Sequence, residues 1–410
     1  MIIASANVDD SFFPVKDTKE GKYSFVKVVK GLSGVELLSL ANVCFDVQKQ
    51  LTLVYAESDK YIASKHISES FSSKSWNFQV RTETVPSAGH WVSDDSYIML
   101  SHSNRNIAHF TEVFNFVYHY LHNRVHYPPL TSIYFLQLRR DKIYPWILSY
   151  IDVASSLFPK NLRFRTVFLE DLLPLDPNGH ICFRHAVASL LCCHSQIGVG
   201  RLMSYFYGGT FTSMSEADTL RSATYKYYGI SLPKHSLGRA HVLVILREAI
   251  HGNLPGRAIE NIDDVRSFFR QNNEQFDFWE RKLELLKPSE QVSVMANTDI
   301  FIGALGSGFV NVMYMLPGSV AISFSPPNIG GLFFNTLSEF SRVHYIGVYN
   351  SSVPFPPECK NRVNANGESV IRSCVDRLHA SDIFIDLRKL EVLMDAAMIH
   401  LKSQKYSMFI

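Results

Sequence analysis

The spacing of apolar positions changes along the chain and marks out its elements. Between residues 20 and 60 they alternate with polar ones, as Tyr23, Phe25 and Val28 and then Leu51, Leu53 and Tyr55, the pattern of half-buried strands. From Asn106 the interval lengthens to three and four: Ile107, Phe110, Phe114, Val117 and Leu121 fall on one helical face, which Pro128-Pro129 closes. SIYFLQL at 132–138 and FRTVFL at 164–169 predict two further strands. Residues 205–235, with Gly208-Gly209, many Ser and Thr, and Pro233, read as an interdomain connection. VLVILR at 242–247 opens a second strand–helix series, with a helix at IDDVRSFFR, a strand near 291–295 and another at HYIGVY, 344–349. The carboxyl end predicts an amphipathic helix with Leu387, Leu390, Leu393 and Met394 on one stripe.

The most informative stretch is NTDIFIGALGSGFVNVMYMLPGSVAISF, 297–324. Ile300 to Leu305 is a short apolar run that fits a buried parallel strand. Gly306-Ser307-Gly308 follows as a turn whose glycines are expected to tolerate positive φ and to let a ligand near the backbone. Phe309 to Leu316 fits a short helix stopped by Pro317-Gly318, and Ser319 to Phe324 resumes an apolar strand. A strand that feeds a helix through small residues aims free N–H groups and a positive dipole end at one spot, which suits a phosphate. A dinucleotide turn of the Gly-x-Gly-x-x-Gly kind is excluded by the missing third glycine in GSGFVN, which argues against a dehydrogenase.

At 410 residues the chain is long for one core, and two strand–helix series flank its middle. The predicted fold class is therefore α/β: two Rossmann-like, doubly wound domains facing each other, at 20–225 and 236–385, with ligands beyond the carboxyl ends of the strands. A net charge of +2 gives no electrostatic footprint for nucleic acid or a membrane surface. No apolar run approaches the roughly 18 residues that span a bilayer, and MIIASANVDD lacks the features of a signal peptide, so any targeting segment is expected outside this chain.

Cys359 and Cys374 bracket a polar, turn-rich loop and are candidates to clip it shut, a closure worth about 3 kcal/mol. The alternative is six reduced thiols in a cytoplasmic protein. CFRHAVASLLCCH gathers Cys182, His185, Cys192, Cys193 and His194, but in no common zinc spacing, and no metal is expected. His119, His122 and His126 share a helical face and are expected to form a solvated stripe.

Asn-Thr-Asp before the strand, Asn311 within the helix and Met-Leu-Pro-Gly-Ser after it resemble the carboxyl-terminal signature of glycosyltransferase family 61. That family includes animal protein O-linked N-acetylglucosaminyltransferases and plant xylosyl- and arabinosyltransferases. The resemblance continues in the same order through ANVCFD at 41–46, NIAHF at 106–110, CFRHAV at 182–187, VLVILRE at 242–248 and RAIENIDDV at 257–265. It implies the GT-B arrangement of two facing domains, with residues 386–410 as a helix packing back on the first. It also implies an inverting, metal-independent transfer of a sugar, N-acetylglucosamine or a pentose such as xylose, from a UDP-sugar to a protein or glycan hydroxyl in the secretory lumen, Golgi or endoplasmic reticulum. Cys44 and Cys182 lie in two of the resembling blocks and are a candidate pair.

The chemistry needs a stabilised diphosphate and a base for the acceptor hydroxyl. No Asp-x-Asp is present to carry a cation, whereas Arg247 and Arg257 match the family's donor-binding arginines, and two guanidinium forks can take a cation's place. Gly306, Ser307, Gly308 and Asn311 are assigned to the donor site, and Asn261 either to it or to capping the helix at Asp263-Asp264. His109 matches the family's histidine and is the candidate base, with Glu112 one turn on to orient it; a satisfied core histidine is the alternative. Two departures stand out. Leu305 occupies the family's histidine position before the turn, and Ser323 that of its glutamate, so a catalytically degenerate member that binds glycans or proteins is the second reading.

Overall fold

The computed structural model describes residues 22–30, 36–56, 78–87, 89–99, 106–127, 129–158, 165–175, 179–189, 211–231, 238–247, 257–325, 332–349 and 381–407. Cys192, Cys193, His194, Cys359 and Cys374 lie outside them. The chain divides into two compact units at Thr212/Ser213.

The first unit is built on a nine-stranded sheet of β1 (Phe25–Lys30), β2 (Glu36–Asp46), β3 (Leu51–Tyr55), β4 (Phe78–Arg81), β5 (His90–Val92), β6 (Ser96–Met99), β7 (Ser132–Phe135), β8 (Arg165–Phe168) and β9 (His180–Ser189). It is only half Rossmann-like. β9-β6-β7-β8 run parallel, but β2 runs antiparallel to β1, β3 and β9, which corrects the expectation of a doubly wound sheet here. The register explains why: Cys44 stands opposite Cys182 and is bonded to it, so the two blocks singled out in the sequence form one antiparallel ribbon. Beside the disulfide, Asn42 adopts a left-handed φ of 51° and accepts a 3.1 Å hydrogen bond from Arg184, whose guanidinium stacks on Trp91. Asn is among the few residues that enter that region at low cost.

Helices α1 (Ile107–Asn123) and α2 (Pro145–Leu157) contact each other through an aromatic layer. Phe110 and Phe114 stack on Phe135, Tyr118 and Trp146 pack on Tyr150, and Phe168 completes the row. α3 (Leu169–Leu172) is a single turn after β8. His119 is not on a solvated stripe: it is buried, with ring nitrogens 3.0 Å from Thr212 Oγ1 and 2.6 Å from Tyr127 OH.

The second unit is a five-stranded, all-parallel sheet in the order β11-β10-β12-β13-β14, comprising β10 (Ala240–Ile245), β11 (Phe276–Arg281), β12 (Ile300–Ala304), β13 (Val320–Ser325) and β14 (His344–Tyr349). Both faces are covered, as the near-continuous apolar runs require. Val242, Val244, Ile300, Ile302, Val320 and Ile322 face one cluster shared with Val265 and Phe269 of α5 (Ile262–Gln271). On the opposite face Phe301 meets Phe309 of the 3-10 helix Ser307–Tyr314, its ring 4.7 Å away. α4 (Met214–Tyr228) packs on α6 (Pro288–Ala296) and on α7 (Leu332–Phe340), and all three pack on that 3-10 helix.

Two expectations are corrected in this unit. Residues 214–228 are no linker: Arg221 is buried and donates to the carbonyls of Met313 and Ser341 and to Asp218, while Tyr225 OH donates to Tyr314 O, so α4 caps the carbonyl end of the 3-10 helix. Residues 291–295 are helical, because Pro288 presets the first turn and Glu290 accepts from Lys287 N; the strand is the charged edge segment Phe276–Arg281. The terminal helix, α8 (Leu387–Ser407), contacts α5 and β13 and sinks Leu390, Met394, Ala397 and Leu401 into the second unit's own core. Of the predicted stripe, Leu387 stays exposed and Leu393 half-buried. Arg221→Met is expected to cost about 3 kcal/mol in denaturant unfolding, because it strips buried carbonyls of their donor at little change in volume. A loss under about 1 kcal/mol would return α4 to the status of a surface connection.

Candidate active site

In a parallel sheet whose strand order reverses, the two central strands diverge at their carboxyl ends and leave a crevice. In the second unit that point lies between β10 and β12. Arg247 stands two residues past the end of β10 and Gly306 two past β12. Leu246 N is bonded to Arg281 O at 2.9 Å, which fixes the chain as it leaves the strand. Arg257 arrives by a separate device. The segment Ala258–Asn261 is laced to residues 382–385 through Ala258 N on Asp382, the Ile259–Ile383 bridge, and Glu260 N on Ile383 O. Asn261 completes it, donating to Ile385 O at 2.8 Å and accepting from Ile385 N at 2.9 Å. Asn261 makes no side-chain cap on α5; its amide braces the strap that holds Arg257.

The two guanidinium groups converge on Gly306. A Cβ there would lie 2.5 Å from Arg247 Nη1 and 3.2 Å from Arg257 Nη1. The glycine is needed for this approach and not for its backbone: its φ of 172° is open to any residue, and Gly308 has no positive φ either, contrary to the expectation from the turn. Arg247 Nη1 is buried without a hydrogen-bond acceptor, an arrangement that costs free energy and fits an incoming anion. Burial lowers the Arg247 pKa against the opposing pull of Glu284. Burial, reinforced by the like charge of Arg247, brings Arg257 down to about 9. Two cations held together in a partly dry crevice are relieved by a dianion more than by a monoanion.

Ser307 and Gly308 open the 3-10 helix, whose leading amides have no partner within it. Asn311 is fully buried and donates to Gly308 O at 3.1 Å, bracing the turn. Leu305 is buried, with its amide on Phe324 O, and Ser323 shares a 2.5 Å hydrogen bond with Tyr345 OH, so both departures from the family pattern are absorbed in packing. Glu284 lies in the 3-10 turn Leu283–Leu285 after β11, and its charge opposes the effect of burial on Arg247.

In the first unit the strand order reverses beside β6, which has β9 on one side and β7 on the other. The helix after β6 is α1, started by Asn106, whose Oδ1 accepts from Ala108 N. Positions 109 and 112 lie one turn apart near its beginning; the side chains of His109 and Glu112 lie outside the described residues. The zinc alternative loses Cys182, which is in the disulfide.

The protein-family model described as Glycosyltransferase 61 matches residues 80–322, which takes in α1, both arginines, Glu284 and the Gly306 turn. No match is found among curated proteins. Among solved structures the chain is similar to TibC, a dodecameric iron-containing heptosyltransferase in complex with ADP-D-beta-D-heptose. That likeness has 10% identity and a TM-score of 0.35, and covers 92% of this chain and 96% of that one. A score at that level carries neither fold nor function across.

Proposed function

Because the chain belongs to the glycosyltransferase 61 family, we propose that it transfers a sugar from a UDP-sugar to a protein or glycan hydroxyl, with inversion and without a metal ion. The observation that supports this best is the convergence of Arg247 and Arg257 on the bare backbone of Gly306 at the switch point of a parallel sheet. There the diphosphate of the donor is gripped by two charged forks and the leading amides of the 3-10 helix, which supply the charge that a cation provides elsewhere. The sugar is N-acetylglucosamine or a pentose such as xylose.

In the reaction the acceptor oxygen bonds to the anomeric carbon as the bond from that carbon to the phosphate oxygen breaks, and the electron pair passes to UDP. His109 takes the acceptor proton and Glu112 orients its ring, a role for which α1 is suited by starting at the first unit's own switch point. The Cys44–Cys182 disulfide favours an oxidising, secretory-pathway lumen. No helix among the described residues is long and apolar enough to cross a membrane.

His109→Ala is expected to leave UDP affinity within about twofold while transfer from UDP-N-acetylglucosamine or UDP-xylose falls by about 10²-fold or more. Unaltered turnover, measured as UDP release with an acceptor panel, would remove His109 from the mechanism. The degenerate reading is favoured by Leu305 and Ser323, whose side chains are spent on packing. Saturable glycan binding by a protein that neither binds UDP nor turns over would establish it instead.

A further inference from the structure

We infer that Asp382 is a positioning residue for Arg257: its carboxylate fixes the peptide that follows the arginine and so aims the guanidinium at Gly306. The inference rests on the donor-site reading above and deepens it. Ala258 is the next residue after Arg257, and its N–H donates to Asp382 Oδ1 at 2.9 Å. That bond sets the plane of the peptide joining the two residues, and with it the direction in which the Arg257 side chain leaves the chain. At the far end of the same side chain, Nη1 stands 3.2 Å from where a Cβ on Gly306 would be. A guanidinium lies at the end of a long lever, so a backbone turn of about 10–20° is enough to take the constellation out of its working geometry.

The backbone ladder of the strap begins one peptide later. The parallel Ile259–Ile383 bridge engages Ala258 O through Ile383 N at 2.8 Å, and Glu260 N through Ile383 O at 2.9 Å. Ala258 N lies outside that ladder, and the side chain of Asp382 takes it. Asn261 acts further along, on Ile385. The strap has anchors of its own. Ile259, Ile383 and Ile385 are buried in the core cluster of the second sheet. Asp386 accepts from Arg388 N at 2.9 Å and from Lys389 N at 3.3 Å at the start of α8, which sinks Leu390 and Met394 into the same cluster. The frame at 383–386 is therefore held independently of Asp382, and what its carboxylate adds falls on Ala258 and the arginine before it.

The test titrates UDP and inorganic pyrophosphate by calorimetry into the full chain and its variants. Asp382→Ala is expected to weaken both ligands about tenfold, since both depend on the arginine fork and an ångström of displacement carries an effect of at least that size. Asp382→Asn, which keeps an oxygen acceptor in place, should bind both within about threefold of wild type. The discriminating comparison is made in an Arg257→Lys background. A lysine is a compact point charge with no fork to aim, so Asp382→Ala should cost that protein less than about twofold. Should the alanine variant melt below the assay temperature, Asp382→Glu, whose acceptor is displaced by one methylene, takes its place with the same expectations. An alanine variant with wild-type affinity, an asparagine variant as weak as the alanine one, or an equal loss in both backgrounds would overturn the positioning role and leave the arginine site in place. Wild type that binds neither UDP nor pyrophosphate would overturn the donor-site reading and this inference with it.

Discussion

Replacing Arg257 with glutamine is expected to abolish most UDP affinity while making the ligand-free protein more stable. The first effect follows from losing one of two charged forks on a diphosphate, which at a desolvated site costs about 10²–10³-fold in affinity. The second follows from the sign of the pKa shift. An arginine drawn from 12.5 to about 9 is one whose charge the fold disfavours. The unfolded chain then holds the proton more tightly than the native one, so the penalty is present in full below pH 9 and fades as pH rises from there toward 12.5. Removing the charge at neutral pH should gain on the order of 2 kcal/mol, discounted for relaxation of the side chain. The same sign predicts that UDP affinity of the wild type weakens as pH rises through about 9, where Arg257 begins to lose its proton. A lower melting temperature together with intact UDP binding would show that Arg257 is a structural cation and that the crevice is not an anion site.

Gly306→Ala is expected to lower UDP affinity by about 10- to 100-fold with little loss of stability. The new methyl would sit 2.5 Å from Arg247 Nη1, inside any real carbon–nitrogen contact, so something must move. The backbone need not, since its extended conformation accepts alanine. What yields is the far end of a long side chain, and with it the geometry in which both guanidinium groups point at one place. A displacement of an ångström in a binding constellation has effects of this size without touching the fold. Equal affinity in the variant, with an unchanged melting curve, would mean that the two forks do not act where they meet.

The two predictions differ in how far the sequence foretells them. Arg247 and Arg257 stand out because one ends an apolar strand and both fit a family pattern, and in the structure both guanidinium groups lie at Gly306. Asn261 and Asn311 fit the same pattern, and both hold backbone: one the strap behind Arg257, the other the turn at Gly308. An amide that faces a ligand and an amide that braces the loop beside it look alike in a sequence, because both are polar residues next to a site. Strand β11 is illegible for the opposite reason: it lies at the sheet edge, half-exposed and charged, so the apolar run that marks a buried strand is absent.

Local patterning determined the buried parallel strands of the second unit, the strand–turn–helix at Gly306, and the family, because each depends on residues within a few positions of one another. Tertiary structure alone decided the rest. Arg221 reaches carbonyls of Met313 and Ser341 some 92 and 120 residues away, which turns an apparent linker into a core helix. Cys44 and Cys182, 138 residues apart, set an antiparallel register within a sheet expected to be parallel. Arg257 meets Arg247 only because residues 258–261 are zipped to a segment 124 positions further on. Periodicity carries information about which face of an element is buried, but none about which distant backbone will supply its partners, and that supply is what shapes the crevice.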